Sequence, residues 1–324
     1  NPDTPQFPPV PRVGTRILTR RDVLRGLAGV AGVATIPGLL AACGGGASPA
    51  PSAGASAGPS AAPSLGGSIT FGSNYSDQVP KDAMQAIVDA FTSETGVAVK
   101  INTVDHGTFQ DQISSYLQGT PDDVFTWFSG YRMRFFAAQG LATPIDDVWA
   151  KVGSNYSDAF KVGSTGDDGH QYFIPIYNYP WAMFYRKSVF AEKGYTIPTT
   201  LDEFKALGDK MKQDGLIPIA FGDSDGWPAM GTFDILDLRL NGYDFHVGLM
   251  AGNQKWTDAK VKTVFETWKD LLPYHQEGAA GRKWQDAAQA LVQKKAGMYL
   301  LGMFVSQQFK ASSEADLADL DFFP

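Results

Sequence analysis

Between Gly44 and Ser64 the chain contains only Gly, Ala, Ser and Pro. Such a stretch has nothing to bury against the entropy of ordering it, so its composition predicts disorder and confines any folded body to the residues C-terminal to it. Its 21 residues would reach roughly 25 Å as a flexible coil, from about 5–6 Å times the square root of the length. A segment of that kind is a tether, read here as residues 44–65.

The preceding residues, 1–43, read as a leader. Arg12, Arg16, Arg20, Arg21 and Arg25 precede a weakly apolar run from Gly26 to Leu40 that contains Pro37. The run is shorter than the ~20 residues a bilayer span needs, and its order of basic, apolar and small residues is that of a secretion signal. Thr19 to Arg25, with Arg20 and Arg21 paired before Val23 and Leu24, resembles a twin-arginine export signal. Leu40-Ala41-Ala42-Cys43 resembles the lipobox of bacterial lipoproteins, in which the Cys is lipidated and becomes the mature N-terminus. Cys43 is the only cysteine of the chain, so an intramolecular disulfide is excluded and lipidation explains the lone thiol. The expectation is an export signal on Arg20 and Arg21, and a membrane anchor through lipid on Cys43.

Charge divides the chain at the same place. The leader carries five Arg against Asp3 and Asp22, and the whole chain is −7, leaving −10 for residues 43–324. An acidic body argues against nucleic acid as a partner and against a basic membrane-binding face.

The remainder alternates strand and helix. Ser68 to Gly72 reads as a strand, and Pro80–Thr95 as a helix with Pro at its start and Gly96 past its end. Met84, Ile87, Val88 and Phe91 fall at the spacing of one buried face. Val97, Val99 and Ile101 alternate with polar or small residues as in a half-buried strand. A helix over 108–118 and a strand over 123–128 complete an α/β layer with a largely parallel sheet. Farther on, Thr200 and Glu203 form a capping box, and Val261, Val264, Phe265, Trp268, Leu271 and Leu272 form another apolar face. The aromatic stretch 172–185 reads as strand crossing between lobes. Trp256, Trp268 and Trp284 read as helix core.

Motifs for chemistry are missing. No phosphate-binding Gly loop follows a strand, no nucleophile elbow is present, and four scattered His with one Cys do not make a zinc site. Asp223 to Gly226 resembles the opening of a calcium loop, but the distal ligands are out of register. No cofactor and no metal is expected.

Several segments, in order, resemble one family. These are Ala86 to Val97, Gly119 to Phe125, Ala138 to Leu141 with Pro144 to Asp147, Gly169 with Tyr172 and Pro175, Phe184 to Phe190, and Pro198 to Phe204. From about Gly67 onward the chain is similar to extracellular solute-binding proteins of family 1, the lipid-anchored receptors of carbohydrate ABC transporters. Arg186 departs from that pattern, which has Asn there. The resemblance implies an α/β, two-lobe periplasmic-binding-protein type II fold, with hinge crossover strands and a ligand cleft between lobes. It puts lobe 1 at 66–175 and hinge plus lobe 2 at 176–324, and implies further C-terminal elements that complete the fold.

Sugar recognition needs aromatic faces against pyranose C–H surfaces and polar groups for the hydroxyls. Open α/β sheets hold ligands at the carboxyl ends of their strands. The candidates are therefore Asn74 and Tyr75 after the first strand, and Ser129, Tyr131 and Arg132 after the third. Tyr177, Tyr179 and Trp181 lie in the crossover, Asp225 and Trp227 in a loop before a helix, and Phe304 after a late strand. His106 and Phe109 are outlying candidates, His106 reading more as a surface residue. The expected function is capture of a sugar or oligosaccharide for permease subunits, without catalysis, by a monomer held at the outer face of the cell membrane or in the periplasm. A cell-surface glycosidase, or a receptor for a non-sugar solute such as a polyamine, are the alternatives.

Overall fold

The computed structural model describes residues 65–324. Arg20, Arg21, Cys43 and the tether through Ser64 lie outside them.

β1 (Ser68–Ser73) pairs in parallel with β2 (Ala98–Thr103), Ser68 opposite Ala98 through Ser73 opposite Thr103, and β3 (Val124–Phe125) lies parallel on the other edge of β1. Parallel neighbours require long crossovers, and the helices Gln78–Thr95 and His106–Gln118 supply them. The first ends where Gly96 enters the left-handed region at φ 72° and its N–H donates to Thr92 O, a Gly stop of the expected kind. Its predicted buried face is only half realised. Met84 and Val88 pack inward at i, i+4, but Ile87 is 57% and Phe91 40% exposed. A three-stranded sheet offers this helix one row of contacts, and those two residues fall on its flank. β3 is also shorter than the expected 123–128. After Thr126, whose N–H donates to Gly72 O at 3.0 Å, the chain leaves the ladder for the helix Tyr131–Ala137.

Beneath this sheet Phe109, Ile113, Leu117 and Phe136 form a core against Phe125 and Trp127. A polar tie closes the strand ends. Tyr116 OH donates to Asp122 Oδ2 at 2.8 Å and Asn102 Nδ2 donates to Oδ1 at 2.5 Å. The tie crosses the backbone of Gly72, where a Cβ would stand 2.7 Å from Asp122 Oδ2 and run into the Tyr116 hydroxyl.

The second sheet has the order β5 (Ile217–Ile219), β6 (Ala296–Gly302), β4 (Trp181–Arg186), β7 (Leu320–Phe323). β5 and β6 are parallel, whereas β4 is antiparallel to both β6 and β7. The largely parallel sheet expected from the α/β pattern therefore describes the first sheet only. Of the aromatic stretch 172–185 only the part from Trp181 pairs as strand. Pro175 and Pro180 lack the N–H a ladder needs, and the residues between them run outside either sheet.

Around this sheet lie Phe184, Leu291, Tyr299, Leu301 and Phe309 on one side and Tyr185, Met211, Ile219 and Met298 on the other. The helix Leu201–Gln213 begins in the predicted capping box: Glu203 N–H donates to Thr200 Oγ1, and Thr200 N–H to Glu203 Oε2, both at 3.2 Å. In the helix Ala259–Leu271, Val261, Val264 and Leu271 are buried and Trp268 partly so, while Phe265 and the following Leu272 are exposed. Trp256 is not helix core. It sits exposed in a turn, with its ring 5.4 Å from that of Phe233, which it covers from outside.

Candidate ligand-binding site

The carboxyl ends of β1, β3 and β6 and the start of β4 meet at one place. Asn74, just past β1, is buried, and its polar atoms are occupied within the protein. Its N–H donates to Thr126 Oγ1 at 3.1 Å and its Oδ1 accepts from that hydroxyl at 2.8 Å. Its Nδ2 lies 3.4 Å from His106 Nδ1. Asn74 thus locks the end of β1 to the end of β3 and steadies the His106 ring instead of facing open space.

His106 is not a surface residue. Its backbone N–H donates to Ser76 Oγ at 3.1 Å, and its half-buried ring stands edge-on to Phe128 at 6.0 Å and to Trp227 at 6.4 Å. Burial lowers its pKa, against smaller opposing effects of Asn74, Asp77 and Asp105.

From β1 the aromatic side chains run continuously across to the second sheet. Tyr75 and Tyr177 are 6.0 Å apart, and Tyr177 stacks on Tyr179 at 5.5 Å and 29°. Tyr179 meets Phe304 edge-on at 5.3 Å. Phe304 then contacts Trp227 at 5.7 Å, Trp284 at 5.0 Å and Trp181 at 6.4 Å, and Trp181 meets Trp227 at 6.1 Å and 86°. Gly302 leaves the room this needs, since a Cβ there would run into the Phe304 ring and stand 2.7 Å from Tyr179 Cε2. Edge-to-face and offset pairs at such separations contribute about 0.5–1.5 kcal/mol each beyond area burial. Burial pushes the Tyr75 and Tyr177 phenols up and that of Tyr179 up to about 12, so all three remain neutral hydroxyl donors at neutral pH.

Tyr75, Tyr177, Asn178, Tyr179 and Phe304 also line a groove of about 290 Å³, with Val79, Pro80 and Ala83 of the first helix opposite. Trp227 opens the helix Trp227–Asn241, with Pro228 in its first turn and Gly226 at φ 74° before it. The Trp227 indole N–H is buried and has no hydrogen-bond partner. A buried donor in that state costs about 1–3 kcal/mol.

The predicted charged candidates lie at the edges. The Arg132 guanidinium sits over Phe128 at 4.1 Å and Trp127 at 4.6 Å, and both terminal nitrogens donate to Gln110 Oε1 at 3.1 Å. Asp225 is exposed and accepts from Ser224 Oγ at 3.3 Å. Its carboxyl carbon lies 3.7 Å from where a Cβ on Gly107 would stand, so it faces the other sheet's elements. Two candidates stand apart from the ring cluster. The exposed Tyr131 lies under Arg134 at 5.2 Å, and the exposed Ser129 faces Gly163, with its Oγ 3.8 Å from a Cβ built there. Sequence reasoning carried His106 as an outlying candidate read as a surface residue, and missed Phe128 and the junction contacts of Trp284. Only the position of His106 after a strand could have signalled its place among the rings.

The family model for bacterial extracellular solute-binding proteins matches residues 76–324. The chain belongs to that family. Among solved structures it is similar to the bacterial solute receptor AcbH, described as having an exclusive preference for β-D-galactopyranose. The two share 56% identity at a TM-score of 0.77, over 79% of this chain and 65% of that one. An ABC transporter extracellular-binding protein of Pyrococcus horikoshii is 26% identical over 253 residues, 75% of this chain and 57% of its own length. A probable sugar-binding periplasmic protein of Rhizobium meliloti is 28% identical over 193 residues, 56% of this chain and 44% of its own. The chain therefore spans 65%, 57% and 44% of the lengths of these three proteins. Membership of this family makes the two-sheet body a two-lobe binding fold of extracytoplasmic location.

Proposed function

We propose that this solute-binding protein captures a carbohydrate and delivers it to the permease subunits of an ABC importer, with no chemistry of its own. The observation that carries the reading is the ring cluster with a buried, unpartnered Trp227 N–H. Aromatic faces accept the polarised C–H surface of a pyranose, and the indole donor matches a sugar oxygen. The adjoining groove of about 290 Å³ is at the low end of the roughly 300–1,000 Å³ of small-molecule sites, which favours a single ring over an oligosaccharide. Similarity to AcbH at 56% identity makes D-galactopyranose the first ligand to test. In this reading Tyr75, Tyr177, Tyr179, Trp181, Trp227 and Phe304 form the ligand's apolar bed, and Arg132 and Asp225 serve its hydroxyls at the rim. Residues 66–175 and 176–324 act as the two lobes. Arg20 and Arg21 direct export, and lipid on Cys43 anchors the monomer to the membrane through the 44–65 tether.

Isothermal titration of the mature protein against D-galactose, D-glucose, maltose and spermidine tests this. The expected result is saturable one-site binding of a sugar, with D-galactose preferred. Binding of spermidine alone would overturn the carbohydrate reading, and steady hydrolysis of a glycoside would overturn the receptor reading.

A further inference from the structure

Asp77 occupies the N-cap of the helix Gln78–Thr95 yet makes no capping bond to its own helix. An Asp in that position ordinarily accepts from a backbone N–H of the first turn and stabilises the helix. Asp105, at the start of the next helix, does so, accepting from Thr108 N–H at 3.1 Å. The Asp77 carboxylate turns outward instead, and its Oδ1 accepts from Gln285 Nε2 at 3.3 Å. Gln285 belongs to the first turn of the helix Trp284–Val292, on the second sheet's side. One lobe gives up a helix cap, and the other lobe takes the freed carboxylate.

The second half of the Gln285 amide is unmatched: its Oε1 is buried and has no partner. Turning the amide over would set Oε1 against the Asp77 carboxylate, two acceptors face to face, so the oxygen must point away from Asp77. A buried acceptor left alone is costly, and what it lacks is a hydroxyl or N–H donor. The neighbouring Trp284 packs within the ring cluster, 6.4 Å from Trp227, whose N–H is the complementary unpartnered donor. One unmatched donor and one unmatched acceptor thus come from adjacent parts of the junction, and a sugar hydroxyl can both give and accept.

We infer that Gln285 couples lobe closure to ligand capture: its amide NH₂ holds the lobes together through Asp77 while its carbonyl accepts from a hydroxyl of the bound solute. This rests on the carbohydrate reading proposed above. It adds a selectivity rule, since a solute without a donor at that point leaves the Gln285 carbonyl unpaired and is rejected.

The test uses the full-length mature protein carrying Asp77→Ala, Gln285→Ala or both, with D-galactose as probe. Losing the cross-lobe bond alone should weaken binding about 5-fold through faster dissociation, and losing the ligand contact as well about 10- to 50-fold. The double variant should bind like Gln285→Ala alone, because Asp77 acts only through Gln285. The ligand-free melting temperature of Asp77→Ala should stay at the wild-type value, whereas a mere helix cap would lower it and leave dissociation unchanged. Wild-type affinity in Gln285→Ala, or independent losses that multiply in the double variant, would overturn the inference. Should wild-type protein ignore D-galactose, the ligand reading fails separately. Small-angle scattering of the ligand-free variants then decides the coupling: a larger radius of gyration in both supports the bridge, and an unchanged radius refutes it.

Discussion

Replacing Arg186 by Met should destabilise the protein by an amount its surroundings define. Arg186 is 4% exposed at the end of β4. Its Nε donates to Asp319 Oδ2 at 2.8 Å, Nη2 to Asp316 Oδ1 at 2.5 Å and Nη1 to Val292 O at 2.6 Å. Removing one partner of a buried ion pair costs about 3–5 kcal/mol. Here the stranded carboxylates keep other partners: Ser188 N–H and Oγ for Asp319, and the Ser312 and Ser313 hydroxyls for Asp316. Both also retain some contact with water, at 16% and 24% side-chain exposure. A loss of about 2–3 kcal/mol is therefore expected, or roughly 4–12 °C in melting temperature at about 2–4 °C per kcal/mol. Arg186 and the serine hydroxyls hold the Asp316 carboxyl well below its usual range. Asp319 is raised by burial but lowered on balance by Ser188 and Arg186. Depressed carboxyl pKa values contribute stability above the unfolded value of about 4 and lose it as pH falls through the folded values. The gap between wild type and Arg186→Met should thus be full at pH 7 and shrink below about pH 4. Thermal unfolding followed by circular dichroism at pH 7 and pH 3 reads it. A melting temperature within 1 °C of wild type at pH 7, or a gap that does not change with pH, would refute the reasoning from these ion pairs.

The site and the core each give one more expected outcome. Trp227→Phe keeps an aromatic face but removes the unpaired N–H, and should weaken sugar binding about 5- to 10-fold in calorimetry; Trp227→Ala removes both and should cost at least ten times more. His275, with Nδ1 buried and unpartnered and its ring 4.6 Å from Phe221, has its pKa pushed by burial down to about 4. Its unfolded form takes up a proton first, so its contribution is complete above about pH 6.5 and falls by roughly 3 kcal/mol on the way to pH 4. The slope of urea-derived stability between those pH values should flatten in His275→Gln.

How much of the molecule was legible in the sequence depended on the range of the interaction. The Thr200–Glu203 capping box, the Gly96 stop and the Met84–Val88 row are set by residues within one or two turns, and each appears in the structure. The outward turn of Ile87 and Phe91 depends on how wide a sheet the helix meets, which no local spacing encodes. Arg186 looked like an unexplained departure because its carboxylates lie 130 and 133 residues away. Of the residues proposed for the site, Tyr75 was picked by its position after a strand, and Tyr177, Tyr179, Trp181, Trp227 and Phe304 by aromatic content; the structure packs these rings together. The same rule picked Asn74, whose amide is spent on Thr126 and His106, and Ser129 and Tyr131, which lie away from the rings. Strand-end position identifies a neighbourhood, whereas side-chain direction and tertiary pairing decide which residues face a ligand.

A crystal structure of the mature protein grown with D-galactose bears on the carbohydrate site more closely than any other experiment. The pyranose should lie at the meeting of the two lobes, resting against Tyr179, Phe304 or Trp227, with the Trp227 N–H and the Gln285 carbonyl both paired to its hydroxyls. A sugar bound elsewhere, or a junction that stays empty at saturating ligand while both groups remain unpaired, would contradict the assignment.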